Sequence, residues 1–361
     1  MSLSKIKKLI VTMIASITGI SGVSVSSSII AYDALFMRTK RPDYTITAGL
    51  GDYKKLKSIL PREEFFFTSE GVKLKGYYYK AENSKGLVVF AHGFKSGADN
   101  YLPITLYLVQ HGYSVFNYDC TGTFDSEGRS MVGMCQQLID LDNALKYVKR
   151  TPKFSSQPLF LMGHSWGGYA ASSVLSLHKN ALGVALFAPM YNANTIMMDK
   201  AEEYVGKLSQ NVGPIFSAYQ DLLFKDYTSY YSVKGINSVD IPVLIAHGET
   251  DKTITLNGQS IYAHRKEITN PNVQFVIGTG YQGSHVGIMH SNEAMQYQEE
   301  VKKALKDLQK KKGDKLTYEE KQAFYSTVDN FKYSQVDAEL LDKIINMFDS
   351  ALQSQKMLLS D

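Results

Sequence analysis

The segment Pro158-Leu-Phe-Leu-Met-Gly163-His164-Ser165-Trp166-Gly167-Gly168-Tyr-Ala-Ala admits few folds. Its apolar start reads as a buried strand, and the small residues at its end open a helix. Between them stands Gly-x-Ser-x-Gly. Glycine lacks a Cβ, so Gly163 and Gly167 permit a strand-to-helix turn too sharp for larger residues, and that turn projects the hydroxyl of Ser165 into a cleft. The helix N-terminus behind the serine favours negative charge forming beside it. The plainer alternative is a tight turn holding a passive serine.

The rest of the chain supplies a sheet for such a turn. Residues 64–68 and 72–79 alternate in polarity around Ser69-Glu70-Gly71 and predict a β-hairpin. Short continuous apolar runs follow at 87–91, 113–118, 158–162, 181–187, 241–246 and 273–277. Helical patterns at 134–148 and 168–178 separate some of them. Buried strands alternating with helices predict an α/β fold: a mainly parallel sheet with helices on both faces and the hairpin as its antiparallel edge. One stretch, 192–237, carries no strand signal and is rich in Tyr and Phe, among them Tyr204, Phe216, Tyr219, Phe224, Tyr227, Tyr230 and Tyr231. An insertion of that length after a core strand reads as a helical cap over a site, or as ordinary decoration. The core domain is expected at 61–305, with a helical extension at 306–361 and a polar connector at 33–60.

Residues 9–32 carry no charge and follow Lys5, Lys7 and Lys8. Residues 1–32 therefore read as a membrane anchor or as a cleaved secretory signal, since such a stretch is long enough to span a bilayer as a helix, with a buried core helix or an interfacial helix as the remaining alternatives. The catalytic domain is accordingly expected outside the cytoplasm, anchored or, in the second reading, secreted. The formal charge of +4, from 39 basic and 35 acidic side chains, is too mild to argue for a nucleic-acid partner. Cys120 and Cys135 provide no disulfide framework and read as two unpaired thiols, with one bridge as the alternative.

A serine hydroxyl is a weak nucleophile and needs a base held by an acid. In this kind of fold the acid and then the histidine follow the serine along the chain. The run 241–246 leads through His247-Gly-Glu-Thr to Asp251, and the run 273–277 leads to Gly283-Ser284-His285. Both groups emerge at carboxyl ends of neighbouring strands, where such sheets place their sites. His285 is the expected base and Asp251 the group that orients it. His290 competes for the first role but falls by position in the following helix; Glu249 and Asp119 compete for the second. His164 and His247 read as turn-shaping residues. Backbone N–H groups of Trp166, after the nucleophile, and of Phe94, in the loop His92-Gly93-Phe94-Lys95-Ser96-Gly97, are the expected oxyanion donors.

With these motifs in order, the chain resembles the α/β-hydrolase superfamily, among the monoacylglycerol-lipase-like and serine-aminopeptidase-like hydrolases. The resemblance rests on His92-Gly93-Phe94, Gly163-His-Ser165-Trp-Gly167-Gly168, His247-Gly-Glu-Thr-Asp251 and Gly283-Ser-His285, and covers about residues 62–305. Family members often carry Asp-x-Arg-Gly-x-Gly-x-Ser-x-Gly after the fourth strand. Here Asp119-Cys-Thr121-Gly122-Thr-Phe124-Asp-Ser126-Glu-Gly128 puts threonine at the arginine position and phenylalanine at a glycine position. The expected reaction is hydrolysis of a carboxylic ester through an acyl-enzyme, with a lipid-like substrate as its finer form. A peptidase or amidase would need acidic cap residues for a substrate amine, and Asp199, Glu202 and Glu203 are available. A non-catalytic binding protein on the same fold is the alternative of another class. The chemistry calls for no cofactor and no metal.

Overall fold

The computed structural model describes residues 25–198, 209–313 and 315–360. Eight strands form one sheet: β1 Glu63–Ser69, β2 Val72–Tyr79, β3 Gly86–Ala91, β4 Tyr113–Tyr118, β5 Leu159–His164, β6 Ala181–Phe187, β7 Val243–Gly248 and β8 Val273–Gly278. Their order is β1-β2-β4-β3-β5-β6-β7-β8. β1 pairs with β2, and β2 with β4, antiparallel; every later pairing is parallel. The fold is therefore α/β as expected, with every expected strand present. Crossing over between parallel strands requires long connections, and helices fill them.

The interior strands are buried on both faces, so alternate residues feed two cores. Leu87, Val89 and Leu161 point into one, with Leu138, Leu141 and Leu145 of α2 Gln136–Arg150 and Tyr169 and Ala170 of α3 Trp166–Ser173. Val88, Phe90, Phe160 and Met162 point into the other, with Leu102 and Leu108 of the helix Leu102–Gln110. The C-terminal helix Ala338–Ser360 covers this second face through Leu341, Ile344 and Phe348. Phe348 stacks on Phe160 of β5, ring centroids 4.3 Å apart. The extension thus packs into the core of the sheet domain.

The first described residues are also built in. Residues 1–24, most of the expected membrane or signal segment, lie outside the described residues. Val25–Leu35 forms helix α1, with Ala31, Tyr32 and Leu35 buried. Tyr32 meets Phe216 and Tyr219 edge-on, at 5.5 and 5.1 Å. These last two belong to the helix Ser209–Phe224, in the insertion between β6 and β7. Residues 25–32 thus belong to the folded domain, because Ala31 and Tyr32 are covered by protein. Among the described residues, no helix is long and apolar enough to cross a membrane. The expected polar connector differs as well: Leu50, Leu56 and Leu60 are fully or nearly fully buried in the second core. Cys120 and Cys135 are both free and buried.

The C-terminal helix makes a sharp test of this architecture. Phe348→Ala should cost about 3–5 kcal/mol, the usual loss for emptying a buried aromatic site. Urea unfolding should show a lowered midpoint with an unchanged slope; a change under about 1 kcal/mol would mean the helix is dispensable to the core.

Candidate active site

β5 ends at His164, and Ser165 turns the chain into α3 with φ 56° and ψ −113°. A non-glycine residue held there stores about 1–3 kcal/mol of backbone strain, which the surroundings must impose. They do so by leaving no room for anything else. A Cβ on Gly163 would stand 2.3 Å from the carbonyl oxygen of Gly167, and one on Gly167 would stand 2.0 Å from that of Ala91 in β3. The Ser165 N–H is tied to Phe187 O of β6 at 2.8 Å. The serine sits at the carboxyl end of the central parallel strands, nearly buried at 6% exposure.

The loops after β7 and β8 are stitched to each other. Thr250 donates to Gly283 O from its N–H at 2.9 Å and from its hydroxyl at 3.0 Å. A Cβ on Gly248 would come within 2.2 Å of the same Gly283 carbonyl oxygen, so the loops close only over a glycine. This places His285 Nδ1 at 2.6 Å from Asp251 Oδ2. Asp251 Oδ1 accepts from the N–H groups of Thr253 and Ile254, at 2.7 and 3.0 Å. His247 Nε2 lies 3.3 Å from Oδ2 and 2.8 Å from Ile254 O. Burial alone would raise the Asp251 carboxyl, but hydrogen bonds from His247 and His285 outweigh it and hold the group well below the usual carboxylate range. The carboxylate is thus fixed and ionised. His285 donates through Nδ1, which leaves Nε2 as the basic nitrogen.

Ser165 reaches this pair through its neighbour. His164 Nε2 lies 3.2 Å from the carbonyl oxygen of His285, and the two rings are 4.8 Å apart. Among the described residues no hydrogen bond joins Ser165 Oγ to His285; catalytic hydrogen bonds are often long in the free enzyme and tighten around substrate. Phe94 and Trp166 meet edge to face at 5.5 Å, so the two expected oxyanion residues are neighbours. The Trp166 N–H is one that a helix start leaves without an intrahelical acceptor.

The competing residues sit elsewhere. Asp119 is a buried anchor: it accepts from Ala98 N–H at 2.8 Å and the Tyr77 hydroxyl at 2.8 Å, and burial pushes its carboxyl up to about 6. Glu249 is exposed beside the site. His290 is not in a helix, as its position suggested; it precedes the helix Asn292–Lys312 and bridges to Val336. The reason is Ser291, whose side chain caps that helix at Ala294 N–H and so begins it after His290. His247 does more than shape a turn, since it flanks Asp251. In the insertion, Phe216 and Phe224 are buried, the Tyr227 hydroxyl is bound to Asp142 at 2.5 Å, and Tyr219 bonds Asp33 at 3.3 Å. These aromatics pack the insertion onto the domain. Tyr204, Asp199, Glu202 and Glu203 lie outside the described residues.

Sequence reasoning missed the part played by residues 36–62. Phe36 meets the Phe94 ring at 5.5 Å. Arg38 donates to the carbonyls of Phe124, Ser126 and Gly128, each at 2.7 Å. Arg41 and Arg62 both pair with the buried Asp99, which follows the Phe94 loop. Thr121, at the family's arginine position, instead donates to the buried Asp140 from its N–H at 2.7 Å. No local pattern marks such residues, because their partners are far away in sequence.

The eight-stranded order, the strained serine after β5 and the acid–histidine pair after β7 and β8 define a protein of hydrolase type. The comparisons support membership of the α/β-hydrolase superfamily. The family described as serine aminopeptidase, S33, matches residues 82–234. Among curated proteins, the chain is 26% identical over 211 residues to the uncharacterized protein YfhR of Salmonella typhi, covering 56% of this chain and 68% of that one. It is 26% identical over 213 residues to the lysophosphatidylserine lipase ABHD12 of Danio rerio, covering 55% of this chain and 53% of that protein. Among solved structures, the Pyrococcus furiosus esterase Pf2001 aligns with TM-score 0.52 and 21% identity, over 76% of this chain and 98% of that one. At that identity the likeness shows the fold alone.

Buried histidines around the site make stability pH-dependent. Burial lowers His92 to about 4 and His164 to about 3, so both stay neutral in the folded chain. The unfolded chain takes up their protons below about pH 6.5, so their contribution is fully present above that pH and is lost as pH falls toward 4 and below. The urea midpoint should therefore decline on acidification from pH 6.5 to 4. A midpoint that is flat or rising over that window would contradict neutral burial of these rings.

Proposed function

We propose that the chain is a serine hydrolase that cleaves carboxylic esters through an acyl-enzyme, with Ser165 as nucleophile, His285 as general base and acid, and Asp251 as the orienting carboxylate. The observation that carries this is the hydrogen-bonded Asp251–His285 pair at the sheet edge where strain presents Ser165. His285 Nε2 takes the proton of Ser165 as its oxygen attacks the carbonyl carbon. The N–H groups of Phe94 and Trp166 stabilise the resulting oxyanion, and His285 returns the proton to the leaving alcohol. Water then repeats the sequence and frees the acid. Every step uses side chains, backbone and water.

The ester preference draws on the similar proteins. An esterase shares the fold, and a lysophosphatidylserine lipase is among the sequence relatives. A lipid-like acyl group is the finer form of this reading. The serine aminopeptidase family match favours amides as the second reading.

Ser165→Ala should lower turnover of p-nitrophenyl esters by about 10⁴-fold or more, the scale of loss on removing a triad serine, while circular dichroism and melting stay native. Residual activity above about one per cent would remove Ser165 from the mechanism. Esters of graded chain length assayed beside aminoacyl amides separate the two substrate readings: faster ester turnover supports the first, faster amide turnover the second.

A further inference from the structure

Three loops must be held in register for the proposed mechanism: the one bearing Phe94, the turn at Ser165, and the one bearing His285. Two buried residues outside the triad touch all three. The hydroxyl of Tyr101 accepts from the Gly93 N–H at 2.9 Å and lies 2.8 Å from His164 Nδ1. His164 Nε2 lies 3.2 Å from the carbonyl oxygen of His285. The contact points are the residue before Phe94, the residue before Ser165, and the backbone of the base itself.

The directions of these bonds follow from chemistry. A carbonyl oxygen can only accept, so His164 Nε2 carries the proton. The ring is buried and neutral, so Nδ1 is then a bare acceptor. Tyr101 must therefore donate to Nδ1, and its oxygen keeps a lone pair for the Gly93 N–H. Each polar atom in the chain has one role, and no second tautomer satisfies all three bonds. Gly93 makes the approach feasible: a Cβ there would stand 2.9 Å from the Tyr101 hydroxyl oxygen and 3.0 Å from His164 Nδ1.

We propose that Tyr101 and His164 form a positioning bridge, Gly93–Tyr101–His164–His285, that sets the oxyanion donor, nucleophile and base at fixed distances from one another. This rests on the hydrolase reading and adds to it two residues that touch no substrate. Three neutral hydrogen bonds contribute only modestly to stability. Their effect on catalysis is larger, because a displacement of about 1 Å in a catalytic group costs about 100-fold in rate.

The test uses the full chain with p-nitrophenyl butyrate. Tyr101→Phe should lower kcat about tenfold or more with KM nearly unchanged, because binding surfaces are untouched while alignment is lost. His164→Gln, whose amide N–H can replace Nε2–H toward His285, should lose less than His164→Asn, whose shorter amide cannot reach. Nitrogen-15 NMR of histidine-labelled wild type should show His164 with its proton on Nε2, and Tyr101→Phe should allow the other tautomer. Unchanged kcat in Tyr101→Phe, equal losses in the two His164 variants, or an Nδ1 proton in wild type would each overturn the bridge. The wild-type spectrum decides even if a variant fails to fold. Turnover and spectrum of wild type together separate the two claims: no ester turnover sinks the hydrolase reading, whereas a wrong tautomer in an active enzyme sinks the bridge alone.

Discussion

The turn at Ser165 constrains everything around it. A serine at φ 56° and ψ −113° is sustained only where neighbouring atoms forbid relaxation. Gly163 and Gly167 lie against backbone atoms, so the strand end, the helix start and β3 are pressed together without side chains between them. That close approach needs β5 at the centre of the sheet, flanked by β3 and β6, which is the order found. The same crowding sets Trp166 at a helix N-terminus, where an unpaired N–H is available to an oxyanion.

Around this turn the chain is closed further by its N-terminal residues. Residues 32–62 run from one core to the other, with Tyr32 and Phe36 on one face of the sheet and Leu56 and Leu60 on the opposite one. Asp99 pairs with both Arg41 and Arg62 between them, and Asp99 and Arg62 are almost wholly shielded from water. Paired buried charges of this kind contribute little net stability, but losing one partner leaves the other uncompensated and is costly. The N-terminal segment is in this sense committed to the loop that carries Phe94.

Much of this was legible in the sequence. The strands were, because residues such as Leu87–Phe90 and Leu159–Met162 are apolar on both sides and bounded by turn residues. The turn at Ser165 was, because its glycines are demanded by sterics. The Asp251–His285 contact could be anticipated from two strand ends known to be neighbours. The packing of residues 25–35 against the insertion was not, because its partners Phe216 and Tyr219 lie far away in sequence. Tyr101 and His164 were equally silent: a tyrosine before a helix and a histidine beside a serine carry no signature of a shared hydrogen bond. His247 resembled a turn residue because its link to Asp251 depends on how the loop folds back.

The central claim is that the hydroxyl at 165 is uniquely nucleophilic in this chain. Treating the folded protein with a fluorophosphonate, then digesting it and mapping the adduct by mass spectrometry, tests that claim directly. The account predicts one stoichiometric phosphonyl adduct on Ser165 that is absent after denaturation before treatment. An unmodified Ser165 in folded protein, or modification spread over other serines, would contradict it.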